Sequence, residues 1–111
     1  MSRAGLVAVL KAGRSLTFDD GDLGLCGEVA SLLDAGTRAF VINVGGVAVI
    51  DSSGVAELVS CQTAISRRGG RLILCEPSPK VREVLGVTRL DGVIEARASE
   101  AEAIAELQHG S

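Results

Sequence analysis

The feature that most constrains this chain is the run Ala39-Phe40-Val41-Ile42-Asn43-Val44. It is apolar at odd and even positions alike, apart from one Asn, so a strand built from it has two faces to bury. That pattern belongs to interior strands of parallel sheets, whose two faces are both covered by helices. Gly45-Gly46 breaks the run, and a second apolar stretch, Val47–Ile50, leads directly into Asp51-Ser52-Ser53-Gly54.

The rest of the chain repeats the alternation of strand-like and helix-like segments. Residues 6–10 read as a strand bounded by Gly5 and by Lys11-Ala12-Gly13, with a second short strand around Arg14–Thr17 expected to follow it as a hairpin. Phe18-Asp19-Asp20-Gly21-Asp22 offers caps and first-turn acids for a helix with Leu25, Cys26, Val29, Leu32 and Leu33 on one face, closed by Gly36. A helix is predicted to start at Asp51-Ser52, to bury Val55, Leu58, Val59 and Ile65, and to stop at Gly69-Gly70. Its last turn carries Arg67-Arg68, where the dipole favours cations. Arg71–Cys75 reads as the next strand. Ser78-Pro79 begins a helix with Val81, Val84 and Leu85 on its apolar face, ended by Gly86. Val93-Ile94 is a weak last strand, and Ser99-x-x-Glu102 fits a capping box for a final helix through Ala101, Ile104, Ala105 and Leu107. The expectation is an α/β fold: one domain over residues 1–111 with its core at about 6–107, a β-sheet flanked by helices, and mobile first and last residues.

Composition removes several function classes. Hydrophobic residues make up 47% of the chain, but aromatics are limited to two Phe. The core must be built from aliphatic side chains, and the stacking platforms of single-strand nucleic-acid binders are missing. The net charge is −3 and the densest basic run is Arg67-Arg68 with Arg71. Nothing here tracks a phosphate backbone, so no direct nucleic-acid partner is expected. No apolar run nears the ~20 residues that span a bilayer, and no secretory signal is visible. A cytoplasmic protein with no membrane partner is expected. Cys26, Cys61 and Cys75, odd in number and widely spaced, are not a disulfide framework. With a single His, His109, near the end of the chain, no metal site is expected, and the cysteines read as small apolar core residues.

Enzymatic readings lack their parts. A nucleophilic Ser52 would need a base and a group to orient it. The one His lies near the end of the chain, the G-x-S-x-G elbow is absent, and neither Lys11 nor Lys80 stands in an S-x-x-K arrangement. Gly45-Gly46 is followed by no Lys-Ser/Thr, so it is not a phosphate loop, and G-x-G-x-x-G is absent. No catalytic residue and no cofactor are expected. What remains is the junction Ile50-Asp51-Ser52-Ser53-Gly54-Val55, where a strand end becomes a helix start. The orphan N–H groups there can be capped by Asp51 or Ser52. A phosphate on Ser52 would be tolerated by the same N–H groups and by the positive end of the dipole.

In this setting the residues resemble a family. The stretch from Val41 through Asn43-Val44-Gly45-Gly46-Val47, Asp51-Ser52-Ser53-Gly54 and Leu58 is similar to the STAS domain of bacterial anti-sigma factor antagonists. The likeness continues through Arg67–Leu74 and Ser78–Leu85. The resemblance implies a mixed β-sheet flanked by α-helices and a partner-switching cycle that regulates transcription. In that cycle the unmodified domain binds an anti-sigma factor that is often a serine kinase. The kinase phosphorylates Ser52 and the complex separates, and a phosphatase resets it. Asp51, Ser53, Gly54 and Glu57 would then belong to the partner-binding surface. The family commonly has Asp-Leu where this chain has Asn43-Val44. An early Gly-x-Leu-Asp segment is here Gly13-Arg14-Ser15-Leu16-Thr17, with acids only at Asp19, Asp20 and Asp22. The loop Thr17–Asp22 often helps contact the partner in the family. The alternative is a STAS scaffold or accessory module of a lipid or anion transporter, which keeps the turn without phosphorylation.

Overall fold

The computed structural model of the chain describes residues 2–4, 7–13, 15–16 and 25–109. The elements run β1 (Ser2–Ala4), β2 (Val7–Lys11), β3 (Ser15–Leu16), α1 (Leu25–Asp34), β4 (Ala39–Asn43), β5 (Val49–Ile50), α2 (Ser52–Arg67), β6 (Arg71–Cys75), α3 (Pro79–Val87), β7 (Glu95–Arg97) and α4 (Glu100–His109), with a 3-10 turn at Leu90–Gly92 between α3 and β7. The main sheet has the order β1-β2-β4-β6-β7. Its last four strands are parallel and β1 joins β2 antiparallel, so the fold is a mixed α/β sheet, as the sequence predicts.

Register explains why the central strands are apolar throughout. Ala8, Phe40 and Leu72 lie side by side, as do Val9, Val41 and Ile73 one step along. Successive strand residues face opposite sides. The even positions Ala8, Leu10, Phe40, Ile42, Leu72 and Leu74 meet α1, α2 and α3 through Val29, Leu33, Leu58, Cys61, Ile65, Val81 and Leu85. The odd positions Val7, Val41, Ile73 and Cys75 meet α4 through Ala103, Ile104 and Leu107. An ion network ties α4 to the far edge of the sheet. Arg71 on β6 holds Glu95 on β7 (Nε to Oε2, 2.8 Å) and Glu106 on α4, and Arg97 on β7 reaches the same Glu106 (Nε to Oε1, 2.7 Å).

Local signals place the helix ends. Ser78 Oγ accepts the Val81 N–H, and Ser99 Oγ accepts the Glu102 N–H at 3.1 Å. Gly36, just past α1, has φ +103°. Gly70 has a steric reason: a Cβ there would stand 2.4 Å from the Arg38 carbonyl oxygen and 2.8 Å from Ile65 Cγ2.

Several expectations are corrected. The short segment after Gly13 does not fold back on β2. β3 pairs parallel with β5, Ser15 to Val49 and Leu16 to Ile50. The start of the chain supplies β1 rather than a mobile end. The last strand is not Val93-Ile94 but Glu95–Arg97, a polar edge strand held by ion pairs. α3 continues one residue beyond Gly86. The proposed caps at Phe18–Asp22, the loop Thr17–Asp22 and the boundary residues Gly5 and Leu6 lie outside the described residues.

Candidate functional site

The junction singled out in the sequence sits where the sheet hands over to its longest helix. Beyond β4 the chain turns at Gly45-Gly46. Asn43 holds that turn: its Oδ1 accepts the Gly45 N–H at 2.8 Å while its Nδ2 donates to Glu100 Oε2 at 3.2 Å. Val47 goes into the core, and Val49 remains half exposed. Then β5 ends and α2 begins without a linker. Asp51 is the N-cap in extended backbone, with φ −115° and ψ −173°. Its Oδ1 accepts the Gly54 N–H at 3.0 Å, and its carbonyl accepts the Val55 N–H at 3.0 Å.

The sequence left open whether Asp51 or Ser52 caps the helix, and the structure assigns the cap to Asp51. Ser52 is thereby the first helical residue, exposed, with no side-chain hydrogen bond among the described residues. Its hydroxyl stands at the positive end of a helix of 16 residues, where added negative charge is favoured. Ser53 is half-buried, and Gly54 is buried inside the turn. The arrangement places an exposed hydroxyl beside a cap that does not use it. Among the described residues no acid-base pair converges on Ser52, and the side chain of His109 lies outside them.

Glu57 has a role that spacing alone did not reveal. Its Oε2 accepts the Cys26 N–H at 2.9 Å, so a carboxylate on α2 caps the start of α1. This is a favourable place for negative charge. The contact also brings Cys26 beside Cys61, with the sulfurs 3.4 Å apart. Burial pushes both thiols up from their ordinary range, Cys61 the more strongly, and Glu57 adds to the rise. Cys26, Glu57 and Cys61 form one group of close donor atoms, and Cys75, Glu76 and Glu100 form another. Burial raises the Cys75 thiol to about 11. Cys61 and Cys75 are buried as expected, whereas Cys26 is only partly so. No signal in the sequence links residues 26 and 61, because their meeting depends on how α1 packs on α2. No helix among the described residues is long and apolar enough to cross a membrane.

Comparison with known proteins bears on this geometry. The STAS domain profile matches residues 7–103. BtrV of Bordetella bronchiseptica, named as an anti-sigma factor antagonist, is 33% identical over 61 residues, 55% of this chain and 53% of BtrV, so the matched stretch spans about half the length of that relative. The crystal structure of a Thermotoga maritima protein, TM1081, described as an anti-sigma factor antagonist, superposes with a TM-score of 0.83 at 25% identity, over 97% of this chain and 92% of that one. The unphosphorylated form of the anti-sigma factor antagonist SpoIIAA shares the fold, with a TM-score of 0.73 at 20% identity, over 98% of this chain and 96% of that one. A profile match across nearly the whole chain, on a fold that these structures share, makes this protein a member of the STAS domain family.

Proposed function

We propose that the chain is an anti-sigma factor antagonist that binds an anti-sigma factor with serine kinase activity and is switched off by phosphorylation of Ser52. The observation that carries this reading is the division of labour at the start of α2: Asp51 holds the helix end and Ser52 presents an exposed hydroxyl beside it. Relatives named as anti-sigma factor antagonists support the class of partner. The protein performs no chemistry of its own in this cycle; the kinase supplies the phosphate and a phosphatase removes it.

The recognition surface comprises Asp51, Ser52 and Ser53, with the half-exposed Val49 as an apolar neighbour. Gly54 acts from inside, by donating its N–H to the Asp51 cap. Glu57 shapes the surface through its bond to α1. A phosphate on Ser52 adds about −1.5 to −2 charge. On the free domain the helix dipole favours it by roughly 0.3–1 kcal/mol. Within an interface fitted to a hydroxyl, the same group must shed its hydration, and an unpaired charge there costs several kcal/mol.

The test is to incubate the protein with its kinase partner and ATP and to locate the phosphate by tandem mass spectrometry. Modification at Ser52 and loss of the complex are expected. Phosphate chiefly on Ser53 or Ser78 would overturn the assignment. A complex that forms and persists without any phosphorylation would favour the scaffold reading.

A further inference from the structure

We infer that Cys26 and Cys61 are a redox modification site, a thiol pair that closes to an intramolecular disulfide between α1 and α2. The two cysteines are 35 residues apart in the chain, yet their sulfurs are 3.4 Å from each other. Closing to the ~2.05 Å of a disulfide requires the two sulfurs to approach by about 1.4 Å. The pair is also asymmetric. Cys26, near the start of α1, is partly exposed, whereas Cys61 is fully buried in the middle of α2. The third thiol, Cys75, belongs to the α4 side of the sheet, while Cys61 belongs to the opposite side. The sheet itself keeps Cys75 out of the reaction.

The asymmetry sets the order of events with a small disulfide such as oxidised glutathione as the oxidant. The Cys26 thiolate attacks one sulfur of that disulfide, forms a mixed disulfide and expels a glutathione thiolate. The Cys61 thiolate then attacks the Cys26 sulfur and expels the second glutathione thiolate. Two protein thiols are oxidised, one small disulfide is reduced to two thiols, and the two protein thiol protons end on those products. Thiolates are the attacking species. Burial and Glu57 both disfavour them here. The bond therefore forms slowly at neutral pH, with a rate that rises roughly tenfold per pH unit while the attacking thiol remains mostly protonated.

A metal ion fits the same group less well. Cys26, Glu57 and Cys61 supply three donors, the Glu57 carboxylate already accepts the Cys26 N–H, and structural zinc sites take four protein ligands.

The experiment uses the full chain, native, with a chelator and excess oxidised glutathione, followed by acid quench, alkylation and trypsin. Cleavage after Arg14, Arg38, Arg67, Arg71 and Lys80 puts the three cysteines on separate peptides. The expected product is peptide 15–38 joined to peptide 39–67, with Cys75 alkylated. The linked product should form faster as pH rises, its melting temperature should be about 5–10 °C higher, and a reductant should reverse both changes. Cys75→Ala should still form the link, and Cys26→Ser should not. Cys26 left as a stable glutathione adduct, thiols that stay free after prolonged oxidation at alkaline pH, or a link that appears only in denaturant would each overturn the inference.

Discussion

Asp51 and Ser52 are neighbours with opposite duties, and substitution should separate them. Asp51→Ala removes the acceptor of the Gly54 N–H. Loss of such a cap costs about 1 kcal/mol, which lowers the melting temperature of a domain this size by about 4 °C. Ser52→Ala removes a hydroxyl that caps nothing among the described residues and should leave the melt within about 1 °C of wild type. Thermal melts of the two variants check both outcomes. Asn43 makes a comparable argument. It accepts from Gly45 and donates to Glu100 at once, which an amide can do and a carboxylate cannot. Asn43→Asp would set two carboxylates against each other. The variant should unfold at lower denaturant than wild type at neutral pH, and the gap should narrow as acid neutralises the pair. The Asp that this family commonly has at the equivalent of Asn43 thus calls for a different neighbour than Glu100.

The elements divide into those with local causes and those with distant ones. β4 and β6 were legible because alternate residues bury on two helix-covered faces, and that pattern lies entirely within five residues. The starts of α2, α3 and α4 were legible because Asp51, Ser78 and Ser99 cap helices within three residues of themselves. The partner of β3 was not legible, since pairing with β5 joins segments more than thirty residues apart. β7 was missed because its cohesion is ionic. Glu95 and Arg97 face Arg71 and Glu106 instead of forming an apolar run. In the site, the helix start at Asp51-Ser52 could be read from sequence, but which of the two caps it, and the Glu57–Cys26 contact, could not.

The ion network also gives a pH dependence. Hydrogen bonds from Arg71 hold the Glu95 carboxyl below the usual range, and those from Arg97 do the same for Glu106. A carboxylate whose folded pKa is depressed contributes its full stability above the unfolded value of about 4.3 and loses it as pH falls through the folded value. Denaturant midpoints should therefore be flat near neutrality and fall on acidification below about pH 4.3, with a smaller fall in Glu106→Gln. At Gly70, a methyl group would collide with the Arg38 carbonyl oxygen. Gly70→Ala should cost about 1–3 kcal/mol in an equilibrium denaturant titration.

At the scale of the whole molecule, the proposed switch predicts that charge at Ser52 acts on binding and not on the fold. The core residues next to Ser52 in sequence, Ile50 and Leu58, are buried while Ser52 itself is exposed, so charge added at Ser52 enters solvent rather than the core. A titration calorimetry series against the anti-sigma partner, run with melts of the same samples, tests this most directly, comparing unmodified protein, enzymatically phosphorylated protein and Ser52→Ala. Unmodified protein and Ser52→Ala should bind alike. The phosphorylated form should bind at least tenfold more weakly, about 1.4 kcal/mol or more, at nearly unchanged melting temperature. Equal affinity of the phosphorylated and unmodified forms, or a melt that collapses on phosphorylation, would contradict the account and leave Ser52 as no more than the first residue of a helix.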